Sequence, residues 1–246
     1  MNRPGHLVSG FPGGAPERWR VLDLSYAVSD ALPQWPGDAK LFEARTDCKI
    51  DEDGFFTRSF WMLEHYGTHL DAPAHFLAGG ATAEQIPPER LFGPAVVLEV
   101  QDAAASDPDY ELAAGRVTAW ETEHGRVPHG AIVLLRTGWA ARWPDANRYR
   151  NQDAAGTMHF PGFGADAVRI LLERKVSGIG CDTMSVDPGR SREYLVHRLA
   201  LGAGLYQIEN LADLSALPES GTFLVVAPIK LKGGSGAPCR VFALLP

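Results

Sequence analysis

The stretch Glu64-His65-Tyr66-Gly67-Thr68-His69-Leu70-Asp71-Ala72-Pro73-Ala74-His75-Phe76 gathers three of the chain's eight histidines within eleven residues, with an aspartate among them. Imidazole and carboxylate suit a borderline divalent ion, zinc or manganese above all, and no thiolate stands nearby to favour a softer metal. In an extended chain alternate side chains share a face, and His65, His69 and Asp71 have the same parity. On a helix His65 and His69 would still share a face, but Asp71 would lie about 240° round from His65. Gly67 and Pro73 argue against a helix as well, so the extended reading is expected. A straight strand would hold the two histidines about 13 Å apart. Gly67 is therefore assigned the bend that brings the imidazoles together. This is not the helical HEXXH motif, because Tyr66 rather than a glutamate follows His65.

Short apolar runs bounded by Gly, Pro, Asp or Asn must position this cluster. The strand candidates are residues 21–26, 58–65, 95–100, 131–137, 178–182, 205–209, 222–230 and 240–244. Helical stripes are expected over 165–175, through Val168, Leu171 and Leu172, and over 191–201, through Leu195, Leu199 and His197. A weaker helix is read over 118–124. No repeat and no linker interrupts the chain, so the expectation is one α/β domain over 19–246 with a mixed sheet. Residues 1–18, rich in Gly and Pro, are read as an N-terminal arm. Trp61, Trp120 and Trp139 are assigned to core or interface, whereas Trp35, flanked by prolines in a loop, is poorly explained by packing.

The segment HYGTHLDAPAHF resembles the signature HxGTHxDxPxH of the cyclase family, which includes bacterial kynurenine formamidases and isatin hydrolases. Further motifs are similar to that family: Pro33-Gln34-Trp35-Pro36-Gly37-Asp38, Leu134-Leu135-Arg136-Thr137-Gly138-Trp139, Phe160-Pro161-Gly162, and the run from Gly178 to Asp187. The resemblance extends from about Leu22 to Phe242. It implies a partly barrel-like sheet flanked by helices, and His65, His69 and Asp71 as ligands, with Asp71 able to bridge to a second ion. It implies His75 as proton donor and acceptor, His197 and Glu209 as the remaining ligand pair, and Trp35 on the wall of the substrate pocket. The residues themselves support the His197–Glu209 pairing. His197 would leave a helix, Gly202 and Gly204 supply a turn, and Glu209 returns at the end of a strand.

His159 precedes Phe160 and either faces the pocket with it, as a substrate-binding pair, or caps the helix that follows. Asp182 and Asp187 are read as strand-end and turn acids, since no GxSxG elbow surrounds Ser185. His6, His124 and His129 are read as solvent-exposed.

One or two ions held this way would lower the pKa of bound water from about 15.7 toward neutrality and polarise a carbonyl. His75 would take the water's proton and return it to a departing nitrogen. The leading expectation is hydrolysis of a C–N amide bond in an aromatic amide or lactam of arylformamide or isatin type. His-Tyr-Gly-Thr-His departs from the HTGAH usual in the resembled formamidases, and the chain is longer around residues 102–127 and at the N-terminus. These departures move the expectation away from N-formylkynurenine itself. The alternatives are ring closure or opening of a polyketide-like substrate, or a non-catalytic metal-binding protein of the same fold.

Composition removes other classes. The 246 residues are 45% hydrophobic and 22% charged, which is ordinary globular usage. At this length roughly 70–75% of the unfolded surface can be buried, so folding needs no metal or disulfide. With 23 basic against 30 acidic residues, the net charge of −7 and the lack of a basic run leave no footprint for nucleic acid. No apolar stretch approaches the roughly 20 residues that span a membrane, and the N-terminus has no apolar core of a signal peptide. Three scattered cysteines fit a reducing cytoplasm. The expected partners are a small-molecule substrate and further copies of this chain, as a homodimer or higher homo-oligomer.

Overall fold

The runs at 95–98 and 131–135 are continuously apolar rather than alternating, which is how strands read when both faces are covered. The computed structural model describes residues 6–8, 19–37 and 42–246, and in it these runs form the strands Phe92–Glu99 and Ile132–Arg136. Seven strands close into a barrel. In order they are Gly236–Leu245, Phe223–Pro228, Phe92–Glu99, Ile132–Arg136, Gly178–Cys181, Tyr206–Glu209 and His69–Asp71, and the last pairs back onto the first. The pairings from Phe92–Glu99 through Tyr206–Glu209 are parallel and the others antiparallel, so the sheet is mixed as expected.

Both faces of this wall are packed. Leu70, Ala95, Val97, Ile132, Leu134, Ile208 and Leu224 fill the interior. Their neighbours of opposite parity, Val96, Leu98, Val133, Leu135 and Ile179, join a second core with Val117, Trp120, Val168, Leu171, Val196 and Ala200. Those last six lie on the helices Ala114–His124, Ala165–Glu173 and Leu195–Gly202. Burying a leucine or valine of this kind contributes about 1.5–3 kcal/mol, so the helices are held mainly by their apolar stripes.

Outside the barrel, Trp19–Asp23 pairs with the far end of Gly236–Leu245, and His6–Val8 pairs with Trp19–Asp23. The rest of the proposed arm, residues 1–5 and 9–18, lies outside the described residues, as do the side chains of 6–8, so the reading of His6 as exposed is not addressed. Phe42–Cys48 and Thr57–Met62 form a separate two-stranded sheet. Among the described residues no helix is long and apolar enough to cross a membrane.

Several element ends differ from expectation by a few residues, among them the strands Trp19–Asp23, Phe92–Glu99 and Gly236–Leu245 and the helix Ala114–His124, and two further differences serve the histidine cluster. The strand expected over 58–65 stops at Met62, because the chain bends through 64–68 before entering the barrel at His69. The helix expected from residue 191 starts at Leu195, because Tyr194 adopts the left-handed conformation at φ 50°, ψ 49°. A helix cannot run through such a residue.

Candidate metal centre

Leu70 and Ile208 point into the barrel, so His69, Asp71 and Glu209 face outward, beneath the helix Leu195–Gly202. The antiparallel register sets His69 opposite Glu209 and Asp71 opposite Gln207, which makes them close neighbours on one face. Gly67, at φ +66°, supplies the bend assigned to it, and the His65 and His69 rings come within 5.3 Å of each other, edge to face. On the far side of the strand, Gly236 opposes Asp71, and a Cβ there would collide with the His65 ring. A glycine is needed at that position for His65 to lie flat against the sheet.

Three imidazoles have one ring nitrogen engaged from behind. His69 Nδ1 lies 2.9 Å from the carbonyl oxygen of Gly67 and donates to it. His197 Nδ1 lies 2.6 Å from Asp187 Oδ2. His65 Nε2 lies 3.0 Å from Ser235 Oγ, whose own proton goes to Glu64 Oε2 at 2.9 Å, so the hydroxyl accepts from His65. Each ring therefore turns its other nitrogen toward a carboxylate. His65 Nδ1 is 2.7 Å from Asp71 Oδ1, and His69 Nε2 is 3.2 Å from the same atom and 3.6 Å from Glu209 Oε2. His197 Nε2 is 3.4 Å from Asp71 Oδ2 and 3.3 Å from Glu209 Oε1. Lone pairs facing carboxylate oxygens at these distances repel unless a cation or a proton lies among them.

The electrostatics show the same demand for positive charge. Burial alone would lower the His69 pKa, but Asp71 and Glu209 outweigh it and raise it to about 9. His197 is likewise raised, against the cost of its burial, by Asp187, Asp71 and Glu209. Burial would raise Asp71, yet the three histidines hold its carboxyl well below the ordinary range. Asp71 Oδ2 is buried without a hydrogen-bond partner among the described residues. Ligand atoms of His69, Asp71 and Glu209 lie within 4.8 Å of one another, as do those of His65, Asp71 and His75. Buried imidazole nitrogens converging on two carboxylates, with an orphaned oxygen between them, fit a divalent ion.

His75 differs from the other three. It lies on a short 3-10 turn, Pro73–His75, stacks on His65 at 3.9 Å, and has no ring hydrogen bond among the described residues. Burial of part of the ring, followed by the neighbouring histidines, holds its pKa down near 4 against the opposing pull of Asp71. It opens onto a cavity of about 430 Å³ whose floor includes His65, His69, His197 and Glu209. The walls are Trp35, Leu63, Tyr66, Phe76, Met184 and Tyr194.

The sequence-derived residues do not all meet here. Trp35 lines the cavity with His65, His69, His75, His197 and Glu209, and Asp71 lies buried behind them, whereas His159 and Phe160 do not line it. Phe160 is wholly buried in a cluster with Trp139, Tyr149, Met158 and Met184, and so backs the cavity wall. His159 is clamped between Asp109, at 3.0 Å, and Asp153, at 3.3 Å, and does not cap the helix that follows either. Sequence reasoning missed Phe76, Met184 and Tyr194. Phe76 ends the histidine segment and could have been found by its position. Tyr194 carries no such signal. Its left-handed backbone turns the ring toward Trp35, at 6.4 Å, and Phe76, at 5.6 Å.

A closed mixed barrel with outer helices, carrying a buried His/Asp/Glu cluster under an aromatic cavity, has the donor set of a divalent-metal centre. The Cyclase family model matches residues 22–188, and the chain belongs to the cyclase family. The isatin hydrolase of Roseibium aggregatum is 34% identical to it over 236 residues, covering 92% of this chain and 89% of that protein. The kynurenine formamidase of Salinibacter ruber is 29% identical over 227 residues, covering 89% of this chain and 95% of that one. An isatin hydrolase bound to the product analogue thioisatinate superposes with a TM-score of 0.86 at 32% identity, covering 93% of both chains.

Proposed function

We propose that this chain is a metal-dependent amidohydrolase that cleaves the C–N bond of an aromatic amide or lactam, of isatin or arylformamide type. The observation that carries this reading is the contrast among the four histidines. His65, His69 and His197 are held from behind with a nitrogen turned inward, and His75 is not. His65, His69, Asp71, His197 and Glu209 would hold one or two ions, with zinc or manganese favoured by their nitrogen and oxygen donors. Such an ion, when bound, acidifies water and polarises a carbonyl.

The remaining steps fall to the chain's own residues. His75, neutral at pH 7 because its pKa lies near 4, is ready to accept a proton at its ring nitrogen. Protonated His75 then returns that proton to the leaving nitrogen, which an amide requires. Trp35, Phe76 and Tyr194 present flat apolar faces to an aryl ring, and a cavity of about 430 Å³ suits a compound of one or two rings. The solved relative holding thioisatinate supports the same substrate class.

The test is elemental analysis of the purified protein, followed by assay of isatins, aryl formamides and cyclic imides. Ring-opened or deformylated product that depends on added zinc or manganese is expected. Metal-loaded protein that leaves all three classes intact while cyclising a polyketide-like chain would replace this reading with the ring-closing one. The assembly we propose is a homodimer. The isolated hairpin exposes Phe55, Phe56 and Phe60, and a two-stranded sheet is marginal in water without a packing partner. Light scattering at micromolar concentration should give twice the chain mass, and a monomer would end the idea.

A further inference from the structure

We infer that Asp187 is a positioning residue for the metal centre: it sets the tautomer of His197 and anchors the helix that carries it. The inference rests on the reading of the cluster as a metal centre and adds to it a residue that never faces the ion. Asp187 lies in the loop after the strand Gly178–Cys181 and is only 2% exposed. Its Oδ2 accepts from the backbone N–H of His197 at 3.0 Å and from His197 Nδ1 at 2.6 Å. Its Oδ1 accepts from the backbone N–H of Val196 at 3.0 Å, and Ser191 Oγ lies 3.4 Å away.

Val196 and His197 are the second and third residues of the helix Leu195–Gly202, whose first-turn N–H groups have no partner within the helix. The residue at the cap position, Tyr194, gives no side-chain bond to them and is turned into the left-handed region. Asp187 therefore caps this helix from another segment of the chain, and the same carboxylate binds the imidazole that the helix delivers. Backbone and ring are fixed by one group, so His197 cannot rotate or slide without breaking both attachments.

The three histidine supports are unequal. His69 rests on a neutral carbonyl and His65 on a hydroxyl, whereas His197 rests directly on a carboxylate. A hydrogen bond to a charged acceptor is roughly twice as strong as a neutral one and makes the opposite nitrogen a better donor to metal. With the proton kept on Nδ1, Nε2 is presented bare toward Asp71 and Glu209.

The experiment compares wild type with Asp187→Asn, which keeps the shape of the side chain but cannot accept from all three N–H groups. Three readouts are taken on chelator-treated protein reloaded with zinc or titrated with manganese. Long-range proton–nitrogen spectra of histidine-labelled, zinc-loaded protein should show Nδ1–H without Nε2–H for His197 in wild type and lose that signature in the variant. Calorimetric manganese affinity should fall about 10–100-fold, as for outer-shell partners generally. The turnover number should fall with little change in KM. A variant that melts earlier but binds manganese like wild type and keeps the Nδ1–H signal reduces Asp187 to a helix cap and overturns the inference. Wild-type protein that takes up neither manganese nor zinc overturns the metal reading itself, and this role with it. Should Asp187→Asn not fold, Asp187→Ser retains a capping oxygen while giving up the charge, and the same three readouts apply.

Discussion

His69 and Glu209 reach the cavity from strands paired on both sides, with Asp71 buried beside them, while Trp35, Phe76 and Tyr194 reach it from loops and the start of a helix. On the floor almost every polar atom is held by another residue, and the geometry is built into the closure of the barrel. On the rim the contacts are between rings at 5.6–6.4 Å, and the chain carrying them is open to solvent. This division assigns the chemistry to a rigid element and the choice of substrate to segments that tolerate change. It predicts that floor substitutions act on metal and turnover, and rim substitutions on KM.

The largest effect is expected for Asp71→Ala, since Asp71 faces all three supported histidines. It should strip the metal and leave no measurable turnover. Full metal content by mass spectrometry would remove Asp71 from the ligand set. His75→Ala should retain the ion and lose roughly 10²–10⁴-fold in turnover, with the larger loss on the substrate whose nitrogen leaves less readily. Loss of metal in that variant would make His75 a ligand and erase the distinction among the four histidines.

Gly236→Ala tests whether the floor is as rigid as its pairing implies. The added methyl meets the His65 ring, so metal affinity should fall about 10–100-fold, as when an outer-shell support is lost. Unchanged affinity would mean that His65 can retreat at no cost. On the rim, Tyr194→Asn removes a ring while keeping a residue that accepts the left-handed backbone. Aromatic contacts contribute about 0.5–1.5 kcal/mol, so KM should rise by up to about tenfold with the turnover number unchanged. A matching fall in turnover would place Tyr194 with the floor instead.

The smallest effect concerns pH. In chelator-treated protein the His69 pKa lies near 9, above its ordinary value of about 6.5. A group raised on folding stabilises fully below its unfolded pKa and loses that contribution as pH rises through the folded one. The Tm of the stripped protein should therefore decline between pH 6.5 and 9, and added zinc or manganese should flatten the decline by replacing the proton. Equal slopes with and without metal would separate His69 from the ion.

Much of the floor is legible in the sequence because its information is local. The period-two alternation that puts His69 and Asp71 on one face, and the glycine whose bend brings His65 to them, lie within seven consecutive residues. The continuous apolar runs likewise announce strands covered on both faces. Residues 159–160 show where such reading stops. His159 and Phe160 adjoin a family-like motif, yet packing buries Phe160 behind the wall and two aspartates hold His159 away from it. Asp187 reads as a turn acid because its partners are amides nine and ten residues on, brought back by a loop. The support of His65 joins residues 170 positions apart, across the pairing of Gly236–Leu245 with His69–Asp71. Which residues could bind a metal follows from side-chain type and local periodicity. Which nitrogen each histidine offers follows from barrel closure and helix docking, because a tautomer is chosen by the partner behind the ring, and that partner is remote in the chain for His65 and His197.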